Sequence, residues 1–313
     1  MKKIPVFFRP YHKPKQLYDL ICRCKSCGSF SALEDKVCPS CGKTALRPIE
    51  REAAVNVKRS MQTKRLFLLF ITLVGILLSD TFGQMMLCLA TALILIVILW
   101  FVQRRFIASE ISLKLDRLLQ QEQMQLTRDI YRDWEIAFSH WDEDKQLTYE
   151  LLRQLRPLIR NDTFRLQQLG LLHHFALRKD MELELEPLLL QQFDPLLVDY
   201  IGEIAKLKRE LIKDDTFRYI IHYEPEILGL KNGQDILTGV AGVAVRMKRY
   251  VLTYPGLIRR YAYRLPKDRI LRLHRMIQQY PNEPWDRVAE EVKRIVREQY
   301  EWDPDFQDSA ERD

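Results

Sequence analysis

The residues best suited to chemistry are cysteines, and five of the six lie between positions 22 and 41. Four of them form two Cys-x-x-Cys-Gly motifs, Cys24 with Cys27 and Cys38 with Cys41, separated by ten residues. Each motif is a tight turn that directs two thiolates to one point, and the glycine after it permits a positive φ. Because metal binding supplies folding energy that so short a segment cannot obtain from a core, this spacing predicts a tetrahedral Zn²⁺ site.

The two motifs resemble a zinc ribbon over about residues 20–45. The resemblance implies a small metal-bound module, which in some proteins binds nucleic acid and in others braces a terminus or docks a partner. Two disulfides are an alternative that requires an oxidising compartment, and a redox Cys-x-x-Cys motif is another. Cys22 is either a spare thiol or a replacement for Cys24 in the ligand set.

Sequence motifs of the common catalytic sites are missing. The chain has no phosphate-binding glycine loop, no Gly-x-Ser-x-Gly and no His-Glu-x-x-His. The adjacent residues His173 and His174 would point about 100° apart on a helix, so their imidazoles are poorly placed to share one metal ion. We therefore predict that the protein is not an enzyme.

Two apolar segments follow the cysteines, and their length and composition predict whether the cysteine motifs are held next to a membrane. The segments are residues 66–79 (LFLLFITLVGILLS) and 85–102 (MMLCLATALILIVILWFV), and neither contains Asp, Glu, Lys, Arg or His. As helices they would extend about 21 and 27 Å, against a bilayer hydrocarbon core of about 30 Å. The sequence between them, SDTFGQ, suits a polar turn. This pattern predicts a two-helix transmembrane hairpin over residues 64–103, with a shallow re-entrant loop as the alternative.

Charged residues at the ends of this hairpin predict its orientation. Lys64 and Arg65 precede the first segment, Arg104 and Arg105 follow the second, and the turn contains no Lys or Arg. The positive-inside rule therefore places both termini in the cytosol of a two-pass protein of the cell (inner) membrane. The cytosol also keeps thiols reduced, as a Zn²⁺ site requires. Because neither segment carries a charge, a transport function is not expected.

Beyond the hairpin, the apolar spacing becomes helical. Ile111, Leu115 and Leu119 begin a stripe that resumes at Leu126 and runs to Phe138, on a helix predicted to continue the second membrane segment. We expect this stripe to face a core, with a dimer seam as the alternative.

A short internal repeat follows, since residues 159–165 (IRNDTFR) and 212–218 (IKDDTFR) are nearly identical. Asp162 and Asp215 are predicted to cap the helices that follow, with Phe164 and Phe217 turned into the core. The stretch 151–176 resembles a HEAT-type helical pair, which implies an irregular α-solenoid. Two similar helix caps in an ordinary helical bundle are the alternative.

The net charge of +7 is unevenly distributed. Residues 1–65 contain 15 Lys and Arg against 5 Asp and Glu, and residues 246–275, the basic zone, contain 10 against one Asp. Positive zones attract polyanions, and the tyrosines within the basic zone suit either a lipid interface or single-stranded nucleic acid. Because the hairpin holds the chain at a membrane, we favour anionic lipid or a partner protein over nucleic acid. The candidate residues are Arg246, Lys248, Arg249, Arg259, Arg260, Arg264, Lys267, Arg269, Arg272 and Arg275.

Together these features predict a mostly α protein with an N-terminal zinc ribbon, a two-helix transmembrane hairpin and a C-terminal α-helical bundle or irregular α-solenoid. The expected function is a non-enzymatic, membrane-anchored scaffold or adaptor that recruits an unidentified cytosolic or membrane protein at the inner leaflet. The alternative is a membrane-tethered nucleic-acid-binding or regulatory protein that uses the ribbon and the basic zone. The predicted boundaries are a basic arm at 1–21, the zinc ribbon at 22–45, a juxtamembrane linker at 46–63, the hairpin at 64–103, a cytosolic helical domain at 104–300 and an acidic disordered tail at 301–313.

Overall fold

The computed structural model describes residues 3–11, 13–33, 37–79, 82–285 and 287–307. Most of these residues are helical, and one small antiparallel sheet lies near the N-terminus, as the sequence predicts. The chain divides into two compact units. The ribbon unit is His12–Leu158, and the helical unit combines Met1–Tyr11 with Ile159–Asp313.

The sheet of the ribbon unit has three short strands in the order β2-β1-β3. They are β1 (Cys22–Cys24), β2 (Phe30–Ser31) and β3 (Leu46–Pro48). Both outer strands pair antiparallel with β1, so Cys22 lies opposite Ser31 on one side and Pro48 on the other. The central strand therefore ends at the first cysteine of the first motif.

Helix α1 (Ile49–Leu77) begins directly after β3 and extends through the first apolar segment. Its first part buries Ile49, Ala53, Val57 and Met61, each at most 5% exposed. Because these residues are four apart, they form one apolar face that sustains the helix. Residues 46–63 are therefore a strand and a helix rather than the linker predicted from the sequence.

Helix α2 (Phe82–Gln121) carries the second apolar segment and continues about 29 Å past residue 102. Both α1 and α2 are long and apolar enough to cross a membrane. They pack against each other, and a Cβ atom on Gly75 would lie 3.7 Å from Cys88 Sγ, which is ordinary van der Waals contact. Asp80 and Thr81, in the turn predicted at residues 79–84, lie outside the described residues.

The second apolar segment and the following helix are continuous, as predicted, but the helix breaks at Glu122. Helices α3 (Gln123–Ser139) and α4 (Lys145–Leu155) complete the ribbon unit. Leu115 is buried against Phe30 and Ile49, and Ile111, Leu119 and Leu126 pack around them. The first part of the stripe therefore faces a core, as predicted, whereas Phe138 at its far end is 39% exposed.

The helical unit contains ten α-helices and three short 3-10 helices within its described residues, and the 3-10 helices are Glu186–Leu188, Arg209–Leu211 and Ala262–Arg264. The α-helices are α5 (Asp162–His174), α6 (Pro195–Leu207), α7 (Asp214–His222), α8 (Glu224–Leu228), α9 (Gly233–Ala244), α10 (Lys248–Thr253), α11 (Pro255–Tyr261), α12 (Lys267–Gln279), α13 (Arg287–Gln299) and α14 (Pro304–Gln307). Helix α9 is largely apolar and packs against α6, α8 and α11. These three helices therefore cover the apolar surface of α9.

The internal repeat places both of its phenylalanines, Phe164 and Phe217, in the core, as predicted. The capping residue of α5 is Asn161, one residue before the predicted Asp162, and its side chain accepts the capping hydrogen bond. Asp162 instead pairs with Arg165 one turn later, and Asp215 pairs with Arg218 in the same way. At these positions an i, i+3 ion pair replaces the predicted cap.

Both ends of the chain contribute to the helical unit. Val6 and Phe8 are buried, and Ile4 forms an isolated bridge with Phe175. Near the other end, Phe306 of α14 is 5% exposed and stacks on Tyr300. The tail predicted to be disordered is therefore folded over residues 301–307, because it buries an aromatic ring; residues 308–313 lie outside the described residues.

Candidate metal centre

The four cysteines of the two motifs come together in the ribbon unit. All four sulfur atoms lie within 4.8 Å of one another. Cys24 Sγ is 3.7 Å from Cys41 Sγ, and Cys27 Sγ is 3.6 Å from Cys38 Sγ. Four sulfurs at about 2.3 Å from a tetrahedral ion would be about 3.8 Å apart, so the cluster has the size of a metal site.

The glycines after each motif adopt the backbone conformation that the sequence predicts. Gly28 has a φ of 77° and Gly42 a φ of 68°. In this conformation the Gly28 amide donates to Cys24 O and the Gly42 amide donates to Cys38 O, each at 2.9 Å. The two turns therefore have the same construction, and each closes around the first cysteine of its pair.

Ser29 lies beside two of the four sulfurs and is buried. Its Oγ is 2.9 Å from Cys27 Sγ and 3.3 Å from Cys38 Sγ. The hydrogen bond with the Ser29 hydroxyl lowers the pKa of the Cys27 thiol to about 6. Such a contact favours the thiolate, which is the form that binds a metal.

All six cysteines are described and free, and the sulfur separations in the cluster exceed the disulfide bond length of about 2.05 Å. The cluster contains Cys24 and not Cys22. Burial raises the pKa of the Cys22 thiol, which disfavours its thiolate form. The structure thus brings together the four predicted ligands and leaves Cys22 as the spare thiol.

Two aspartates of helix α3 form hydrogen bonds with the outer edge of the sheet, along strand β2. Asp129 Oδ2 accepts the Phe30 amide and Asp133 Oδ2 accepts the Ala32 amide, both at 2.8 Å. Arg132 Nη2 donates to Phe30 O at 3.0 Å. These side chains occupy the positions that a fourth strand would take, so they satisfy an edge that would otherwise be open.

The carboxylate of Asp133 is fully buried, and burial raises its pKa above 3.8. Neither Asp129 nor Asp133 is among the functional residues predicted from the sequence. The available signal was the tandem Arg-Asp in residues 128–133 (RDIYRD), which places two carboxylates one helical turn apart.

The ten basic residues of the basic zone have different surroundings in the structure. Four of the ten predicted residues form ion pairs: Lys248 with Glu283, Arg249 with Asp214, Arg260 with Glu224, and Lys267 with Asp303 and Asp305. Arg259 lines a small cavity and Arg264 is exposed. The other four, Arg246, Arg269, Arg272 and Arg275, line one larger cavity.

The tyrosines of the basic zone are mostly committed to the fold. Tyr250 and Tyr261 are buried, and the Tyr261 hydroxyl donates to Glu224 at 2.7 Å. The Tyr254 hydroxyl donates to Asp214 at 3.1 Å. Tyr263 is 52% exposed. The buried rings of Tyr250 and Tyr261 are therefore unavailable to stack on nucleic acid bases.

Comparison of the chain with protein-family models, with curated proteins and with solved structures finds no match.

Proposed function

We propose that this chain is a non-enzymatic, membrane-anchored adaptor whose zinc ribbon and helical unit recruit a protein partner at the inner leaflet. In this proposal α1 and α2 cross the cell (inner) membrane as a hairpin and both termini are cytosolic. Zn²⁺ is bound by Cys24, Cys27, Cys38 and Cys41. Each part of the proposal has separate support.

The donor set supports zinc as the metal. Four thiolates in a tetrahedral arrangement suit Zn²⁺, and they leave no position for a water or substrate. Zinc would neutralise the thiolate charge and fix the two turns to each other. The closed set of four sulfurs therefore favours a structural role for the ion over a catalytic one.

The exposure of α1 and α2 supports insertion in a bilayer. Only 6% of the most apolar stretch of either helix is buried, whereas the core helix of a water-soluble protein would be covered. Where the apolar segments meet their charged flanks, Arg65 Nε donates to Gln103 Oε1 at 2.8 Å. This polar contact joins the two helices at the level where the positive flanks predict the cytosolic interface.

The observation that carries the adaptor proposal is the packing of the ribbon on the parts of α1, α2 and α3 that extend beyond the apolar segments. Phe30 of β2 and Ile21 are buried against Ile49 and Leu115. The metal module therefore braces the base of the hairpin. Such a brace would hold a rigid platform at the membrane surface, which is what an adaptor requires.

The alternative of nucleic acid binding has less support. Of the four tyrosines in the basic zone, Tyr250 and Tyr261 are buried, so only Tyr263 and the partly exposed Tyr254 could stack on bases. Exposed apolar side chains on the helical unit, Met247 at 54% and Trp302 at 87%, suit a protein contact instead.

Cross-linking in intact cells, followed by purification of the tagged full chain in mild detergent, tests the adaptor role. We expect one partner protein at a fixed ratio to the chain, and a reduced ratio for Cys38→Ser at equal membrane abundance. Recovery of the chain alone, with cross-links only to itself, would contradict recruitment.

Tags at each terminus test the topology independently. Both tags should be protected from protease in intact cells and cleaved in inverted membrane vesicles. Cleavage of either tag in intact cells would contradict the orientation and, with it, the cytosolic zinc site.

A further inference from the structure

The helical unit contains an open cavity of about 790 Å³ between α12 and the segments that follow α6 and α9. Its walls carry a concentration of positive charge. Asp268 is the one acidic residue among the lining residues, and Lys248, which pairs with Glu283, also lines the cavity. The cavity is further lined by five arginines: Arg209, Arg246, Arg269, Arg272 and Arg275. The volume lies within the range of about 300–1,000 Å³ typical of small-molecule sites.

Asp268 is the one carboxylate among the residues that line this cavity, so it offsets only part of the charge of the arginines. None of the five guanidinium groups forms an ion pair within the described part of the chain, unlike Lys248, Arg249, Arg260 and Lys267 of the same basic zone. Burial, followed by the charges of Arg209, Arg246 and Arg272, lowers the pKa of Arg269. The arginines are therefore close enough to repel one another, and an anion between them would remove that repulsion.

Backbone contacts hold two of these side chains in place without neutralising them. Arg272 Nη2 donates to Arg246 O at 2.7 Å, and Arg209 Nε donates to Ala205 O at 3.3 Å. Each guanidinium keeps further N–H groups for a ligand, because arginine has five donors. The side chains are thus partly fixed before any ligand arrives.

The spacing of the arginines indicates more than one anionic group in the ligand. Arg269, Arg272 and Arg275 are three residues apart on α12, so each successive Cα rises about 4.5 Å along the helix. The planar fork of a guanidinium matches the oxygens of a phosphate, and three forks distributed over about 9 Å of helix favour a ligand with more than one phosphate.

We propose that this cavity binds an organic anion that carries two or more phosphate groups, with Asp268 accepting a hydrogen bond from a hydroxyl of the same ligand. Phosphorylated sugars and nucleotides have this chemistry, as free solutes or as a lipid headgroup. The site is independent of the adaptor role, because it needs neither the zinc cluster nor a protein partner.

Calorimetry on the full chain in lipid nanodiscs of zwitterionic composition tests the site, with inorganic triphosphate and inorganic phosphate as probes. Triphosphate should bind at least about tenfold more tightly than phosphate, since it engages several guanidinium groups at once. Equal affinity for the two probes, or no binding of triphosphate at low salt, would overturn the proposal.

Two double variants separate the cavity from general electrostatic attraction. Arg269→Gln/Arg272→Gln should weaken triphosphate binding at least about tenfold, whereas Arg259→Gln/Arg264→Gln, with the same charge change outside this cavity, should weaken it less than about threefold. Arg269→Lys/Arg272→Lys, which keeps the charge without the fork, should fall between them. Equal weakening by the first two variants would overturn the assignment.

The unliganded melting temperature provides a folding control. Removing two like charges from the cavity should leave Arg269→Gln/Arg272→Gln at least as stable as the Arg259→Gln/Arg264→Gln variant. If Arg269→Gln/Arg272→Gln melts at a lower temperature than the control variant, these arginines have a structural role. That result, combined with an unchanged triphosphate affinity in Arg269→Lys/Arg272→Lys, would overturn the proposal.

Nanodisc composition distinguishes the two sources of the ligand. If the natural ligand is a headgroup, lipids bearing two phosphates should weaken apparent triphosphate affinity by competition; if it is a free solute, they should have no effect. A single-stranded oligonucleotide that binds more tightly than triphosphate, and does so equally in the Arg269→Gln/Arg272→Gln variant, would overturn the small-molecule assignment.

Discussion

Arg23 Nη2 donates to both carboxylate oxygens of Glu122, at 2.9 Å to Oε1 and 2.8 Å to Oε2. Arg23 lies on β1 between two cysteines, and Glu122 lies at the break between α2 and α3. The same guanidinium also reaches Glu52 of α1 at 3.3 Å and the carbonyl of Gly28 at 3.3 Å. One side chain therefore connects the first cysteine turn to the helices that continue from the hairpin.

Replacing Arg23 should uncouple the ribbon from those helices. Arg23→Lys keeps the charge but loses the planar fork, so we expect a loss of about 1–3 kcal/mol in the free energy of unfolding. Arg47→Lys, on the exposed face of the neighbouring strand β3, is the matched control and should be close to neutral. Denaturant titration of the full chain in detergent measures both, and equal losses would contradict a specific role for Arg23.

The cysteine cluster and the two long apolar helices were predictable because their signals are local in sequence. The ligand spacing lies within 18 residues, and hydropathy needs only the segment itself. By contrast, the contacts of Glu122 with Arg23 and of Asp129 with Phe30 each join residues 99 positions apart. A single sequence contains no signal that pairs such distant residues.

Local composition does not reveal the helix at residues 49–63 or the folded residues 301–307. Charged residues lie between Ile49 and Val57 in the sequence, and Phe306 is a single ring in an acidic segment. In both places burial against the rest of the fold overrides local composition.

Removing the Ser29 hydroxyl should weaken metal binding without unfolding the sheet. Ser29→Ala removes the hydrogen bond that lowers the pKa of Cys27, so more of this thiol is protonated at pH 7 and protons compete better with the metal. We expect a decrease in Zn²⁺ affinity of about 10–100-fold, measured by competition with a colorimetric chelator. Ser26→Ala, at an exposed position in the same turn, is the control. An equal effect of both variants would argue against the role of Ser29.

The effect of replacing Asp133 on the free energy of unfolding should depend on whether the new side chain can still accept a hydrogen bond from the Ala32 amide. Asp133→Ala leaves the buried Ala32 amide without a partner and should cost about 1–3 kcal/mol, whereas Asp133→Asn keeps an acceptor and should cost less. Denaturant titration compares the two variants. If they are equally destabilised, the contact with the Ala32 amide is not what stabilises the sheet edge.

The pH dependence of Asp133 has a defined sign. Because burial raises its pKa in the folded protein above 3.8, ionisation opposes folding as the pH rises from 3.8 through that raised value. The wild-type chain should therefore lose stability relative to Asp133→Asn across this window, and the difference should be constant above it. Unfolding titrations of both proteins at a series of pH values measure this difference. A wild-type chain that gains stability relative to the variant as the pH rises would contradict the assignment.

The folded end of the helical unit should depend on Phe306 and not on its exposed aromatic neighbour. Phe306 is 5% exposed and contacts Tyr300 and His274, with ring centroids 4.9 and 5.6 Å apart, so Phe306→Ala removes a buried ring and should cost about 3 kcal/mol. Trp302→Ala removes a larger ring that is 87% exposed, so it should change the free energy of unfolding by less than about 0.5 kcal/mol. Denaturant titration gives both values, and limited proteolysis of the native chain should release the C-terminal segment faster only in Phe306→Ala. Equal proteolysis of the two variants would mean that the ion pairs of Lys267 with Asp303 and Asp305, rather than the buried ring, hold this segment in place.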